Sequence, residues 1–124
     1  MKQEYYIGTD LKFRIDIAAT GFAMDTDDFI IDLYSGKSHT TLTKDDLIYV
    51  SDLDAESSED GEGLDAGWYL TINTDDYAPG MLWMSVRAHV PDDDFSAGYR
   101  REVAVAPLCE IRRVEMPTWA DKFL

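Results

Sequence analysis

The chain's one cysteine, Cys109, and its two histidines, His39 and His89, are of types that do nucleophilic or acid–base work, and none sits in the pattern such chemistry needs. A catalytic thiol needs a nearby cation or helix start to lower its pKa. Cys109 instead falls on the same alternating phase as Val103, Val105 and Ile111, where an inert core thiol is expected. Both histidines fall on outward positions near turns, and no Gly-x-Ser-x-Gly elbow supplies a serine. One cysteine and two histidines far apart in sequence match no paired zinc spacing.

Carboxylates are abundant. Asp25-Thr26-Asp27-Asp28, the stretch from Asp52 to Asp65, and Asp92-Asp93-Asp94 each have the oxygen-rich composition a hard cation prefers. The second cluster opens as an EF-hand loop does, with Asp52, Asp54 and Glu56. It then has Ser57 at the sharp-turn glycine and Gly63 at the closing glutamate, so the match fails. A nonstandard calcium site would draw on Asp25, Asp27 and Asp94. Paired carboxylates can also hydrolyse glycosides, but 25 acids in 124 residues put some pair at any required separation by chance. No Gly-rich phosphate loop or dinucleotide fingerprint occurs, and no cofactor is expected.

Three aromatics, Tyr34, Tyr69 and Trp83, fall on the outward phase of their segments. Exposed aromatics stack on sugars or anchor protein interfaces, unless a second sheet covers them.

The segments that position these residues have a period of two. Leu11-Lys12-Phe13-Arg14-Ile15-Asp16-Ile17 alternates apolar with charged, as a half-buried strand does. Phe29 to Tyr34 is a second strand with Phe29, Ile31 and Leu33 inward, turning at Ser35-Gly36-Lys37 into a short strand from Ser38 to Leu42. Leu47 to Val50 and Trp68 to Asn73 flank the acidic stretch. The turn cluster Asp75 to Gly80 leads into Met81 to Val90, with Leu82, Met84, Val86, Ala88 and Val90 on one face. The last strand, Arg101 to Ile111, contains Pro107, which marks an edge or a bulge.

Six or seven short strands with polar and apolar faces predict an all-β, antiparallel sandwich, with a small open barrel as the alternative. The length fits one domain, residues 1–111, followed by a docking tail, residues 112–124, that carries Trp119, Phe123 and Leu124. Those three either cover an edge of their own sandwich or dock on a neighbouring subunit. The opening Met-Lys-Gln-Glu-Tyr-Tyr has no apolar run, so neither a signal peptide nor a membrane partner is expected. A net charge of −14 repels nucleic-acid phosphates and anionic membranes. It invites comparison with a DNA-mimicking decoy, but the acids cluster in loops rather than running at phosphate-like spacing along a strand.

The order of turn motifs carries a resemblance. Gly8-Thr9-Asp10 precedes an alternating strand, followed by Gly21-Phe22-Ala23-Met24-Asp25-x-Asp27-Asp28-Phe29. Asp76-x-x-Pro79-Gly80, then Val90-Pro91-Asp92-x-Asp94-Phe95, then Arg101-Glu102-Val103 complete it. Over residues 5–111 this resembles short phage and prophage structural proteins and the immunoglobulin-like amino-terminal domain of baseplate upper proteins. The resemblance implies an immunoglobulin-like sandwich of about seven strands, working without catalysis as a tail, baseplate or head-associated component. Its partners would be copies of itself or other virion proteins, assembled in the bacterial cytoplasm into a virion, with a homo-oligomer expected. These 124 residues depart from the baseplate proteins in containing no long fibre or receptor-binding region and in carrying the acidic stretch, so the position in a particle stays open. The alternative from the residues alone is a carbohydrate- or calcium-binding sandwich using Tyr34, Tyr69 or Trp83 as its platform.

Overall fold

The structure, a computed structural model, describes residues 3–51 and 66–113. Eight strands appear in chain order: β1 Glu4–Tyr6, β2 Asp10–Ile15, β3 Phe29–Ser35, β4 Ser38–Thr43, β5 Ile48–Val50, β6 Gly67–Asn73, β7 Gly80–Pro91 and β8 Tyr99–Arg112. They form a five-stranded sheet in the order β1-β8-β7-β3-β4 and a three-stranded sheet in the order β2-β6-β5. This is a β-sandwich whose strand order is immunoglobulin-like. The sequence pattern predicts seven of these strands and misses β1, which is too short to show alternation. β1 also departs from the antiparallel expectation, because it pairs with β8 in parallel, Glu4 opposite Glu110 and Tyr6 opposite Arg112.

Alternation builds the core as the sequence requires. Phe29, Ile31 and Leu33 of β3, Leu82 and Val86 of β7, and Cys109 and Ile111 of β8 face Leu11 and Ile15 of β2 and Leu70 and Ile72 of β6. Each fully buried side chain of this kind stabilises the fold by about 1.5–3 kcal/mol. Among the described residues no buried side-chain nitrogen or oxygen lacks a hydrogen-bond partner. Thr74, fully buried, accepts from the Gly8 amide at 2.8 Å and donates to the Thr9 carbonyl at 2.8 Å, fixing the crossover from β1 to β2. Ser35 donates to the Ala78 carbonyl at 2.6 Å, tying the β3–β4 hairpin to the turn before β7. Gly36 leads that hairpin turn with φ 57°, a left-handed conformation that side chains disfavour.

One expectation about faces is corrected. Val103 and Val105 share odd numbering with Cys109 and Ile111, yet they point away from the core. The register with β7 slips between Leu82, opposite Cys109, and Trp83, opposite Pro107, leaving Leu108 as the extra residue of a bulge. An extra residue inverts the phase of everything before it. The bulge that Pro107 signals is therefore present, and it turns Val103 and Val105 outward.

Candidate interface

Residues directly opposite in an antiparallel ladder share a face, so the pairings define the outer surface of the five-stranded sheet. One row across it reads His39, Tyr34, Trp83 and Pro107. The next reads Thr41, Asp32, Ser85 and Val105, and beyond it come Ile30, Arg87 and Val103. His89 and Tyr99 close the far end with their rings stacked 4.2 Å apart. On this surface Trp83 is 37% exposed, Val105 55% and Val103 64%. A tryptophan, a tyrosine and an arginine on one sheet face are of the types enriched at interface centres, and the two exposed valines add apolar area beside them.

The same face holds the best-organised cluster of reactive residue types. Asp32 accepts a 2.6 Å hydrogen bond from the Thr41 hydroxyl and contacts His39 Nε2 at 3.1 Å, with Arg87 at 3.9 Å. The hydrogen bond from Thr41 is the main cause that holds the Asp32 carboxyl below its ordinary pKa; partial burial opposes it, and His39 and Arg87 add to the lowering. A nucleophile–base pair needs the hydroxyl bonded to the imidazole, whereas here both point at the carboxylate. The arrangement locks β3 to β4. It went unpredicted because its residues meet only through the β3–β4 register.

Tyr34 and Trp83 are cross-strand neighbours, so two of the three outward aromatics are brought together. Tyr69 is corrected: it belongs to the other sheet and is 5% exposed, with the Lys12 ammonium 5.5 Å from its ring. The proposed docking residues Trp119, Phe123 and Leu124, like the acidic stretch from Asp52 to Asp65, lie outside the described residues. Cys109 is buried, and burial raises its thiol pKa. Asp25 accepts from the Trp68 indole at 3.2 Å and Asp27 from the Ala23 amide at 2.9 Å. Among the described residues no three acidic, histidine or cysteine side chains converge as a metal site requires.

The open end of β8 stands out from the other strand edges. From Arg101 to Pro107 every residue is exposed, on both faces of the sheet. On the side away from β7, β1 reaches only Glu110 to Arg112 among the described residues. The β2 edge carries Asp10, Lys12 and Arg14, β4 is rich in threonine, and β5 is three residues long. Charges, short length, proline and bulges are the usual protections of an edge. Arg101, Glu102, Pro107 and the Leu108 bulge flank the segment, but Val103-Ala104-Val105-Ala106 itself carries none of these. Beneath it, on the inner side, a groove of about 490 Å³ is lined by Ile17, Ala18, Met84, Val86 and Ala104.

In comparisons with known proteins, no family model, no curated protein and no solved structure matches the chain.

Proposed function

We propose that the chain is a non-enzymatic, self-associating assembly module that docks through the β7–β8 side of its five-stranded sheet. The observation that carries this reading is the exposed Trp83, Val103 and Val105 surface beside the end of β8 that no described strand covers. Its charge supports the reading. Strands β7 and β8 carry Arg87, Arg100, Arg101 and Arg112 against only Glu102 and Glu110, in a chain whose net charge is −14. Two copies meeting here do so on strands that carry few of the chain's 25 acidic residues.

Placement in a phage or prophage particle, as a tail, baseplate or head-associated component, rests on the turn-motif resemblance over residues 5–111. A virion location and virion protein partners follow from the same resemblance. The ligand-platform alternative retains Tyr34 and Trp83 but loses Tyr69 to burial.

Light scattering over a concentration series tests the reading. The expected mass rises above the 14.1 kDa of one chain, and Trp83→Ser lowers it at equal concentration. A single-chain mass at every concentration, for both proteins, would contradict self-association.

A further inference from the structure

Resting on that reading, we propose that the occupant of the open β8 edge is β8 of a second copy, paired antiparallel about a two-fold axis through Ala104. The two five-stranded sheets then join into one continuous sheet.

The first ground is the shape of the free segment. Residues 101–107, exposed on both faces, are centred on Ala104. A strand paired on one side directs alternate N–H and C=O groups outward, and these are the template for another strand, with Pro107 at the end of the segment offering a carbonyl but no N–H. Overlap of two such segments over their whole length requires pairs whose numbers sum symmetrically about Ala104.

The second ground is self-complementarity. A two-fold interface sets the same patch against itself. Centred on Ala104, Val103 meets Val105 of the second copy on the outer face, twice, and Ala104 meets its own equivalent on the inner face. β-Branched cross-strand pairs are favourable, and the small alanines leave the inner face unobstructed. Centring on Arg101 would put Arg101 against Arg101, and centring on Glu102 would put Glu102 against Glu102. Like charges directly opposite destabilise a pair, so both registers are disfavoured.

The third ground is charge. Within the segment Arg101 and Glu102 cancel. The flanking arginines are already engaged: Arg100 bonds Asp92 at 3.1 Å and the Thr20 carbonyl at 3.1 Å, and Arg112 bonds Glu4 at 3.1 Å. A neutral edge suits an identical edge, whereas an acidic peptide would need free cations there. The remaining acids of the two copies still repel one another, and salt screens that repulsion. Association therefore strengthens as sodium chloride is raised. Docking of an oppositely charged partner would weaken.

Single-cysteine cross-linking in the full chain tests the geometry. Directly opposite residues in an antiparallel pair lie about 4.5–5.5 Å apart at Cα, inside the range a disulfide spans. Under mild oxidation A104C forms a covalent dimer. V103C and V105C each remain uncoupled alone and couple when mixed. Native Cys109 is buried and provides the background control. An associating protein in which A104C does not couple overturns this geometry while leaving the assembly reading intact. A single-chain mass at all concentrations overturns both. Coupling of V103C alone, in preference to A104C, would also overturn the Ala104 axis. Because 104 is exposed, A104C folds, as retention of the wild-type melting temperature will show.

Discussion

Residues 108–112 and residues 101–107 belong to the same strand, and the sheet treats them in opposite ways. At the first end Cys109 and Ile111 are buried against β2 and β6, and the edge is closed: the Glu110 amide donates to the Gln3 carbonyl at 2.8 Å and the Ile7 amide to the Arg112 carbonyl at 2.8 Å. At the other end both faces are exposed and no described strand closes the edge. The boundary is the Leu108 bulge. A single extra residue lets one strand serve the core with its last turn of pattern and present valines outward with the rest. The closed end stabilises the fold, and the open end has no neighbour on that edge among the described residues.

Substitutions can break that division. The largest effect belongs to the closed end. Ile111→Ala removes a side chain that is 1% exposed and should lower the unfolding free energy by about 2–5 kcal/mol, measured by urea denaturation. Next is the Asp32 lock on the outer face, in the same row as Val105. Thr41→Val removes the 2.6 Å bond to Asp32 and should cost about 0.5–1.5 kcal/mol. The pH dependence of this lock has a definite sign. Asp32 titrates lower in the folded chain than in the unfolded one, so its contribution is present above the ordinary aspartate pKa and is lost as pH falls through the depressed value. The melting difference between wild type and Asp32→Asn should therefore be full at neutral pH and shrink in strong acid.

The smallest effect on stability belongs to the open end. Val105→Lys should change the unfolding free energy of the monomer by no more than about 0.5 kcal/mol, because the side chain is 55% exposed, yet it should abolish association by light scattering. A sharper contrast comes from thiol reactivity. Native Cys109 should resist iodoacetamide at neutral pH and react after unfolding, whereas A104C should react in the dilute native chain.

Much of the fold was legible because each half-buried strand writes its faces into the sequence. Phe29, Ile31 and Leu33 alternate with Ile30, Asp32 and Tyr34, and the structure buries the first set as that pattern demands. β8 was misread in its first half because period-two reasoning carries the phase of Cys109 and Ile111 back to Val105 and Val103. A bulge breaks that continuity, and Pro107 marked its place without revealing its consequence. β1 escaped because three residues show no period, and its parallel pairing joins the two ends of the described chain. The Asp32 cluster depends on register rather than on spacing. Tyr69 obeys the outward phase and is nevertheless buried, since phase fixes a direction and not what lies there. The outward Trp83 was readable from sequence; the exposed edge beside it was not.

Residue-resolved amide exchange along β8, on dilute and concentrated samples of the full chain, tests the division of this strand most directly. Amides at the closed end, Glu110 among them, should be protected at both concentrations. Those of residues 101–107 that point away from β7 should exchange rapidly when dilute and become protected as the mass rises. Protection of 101–107 that is equal at both concentrations, or association that leaves these amides unprotected, would contradict an open edge that a second copy closes.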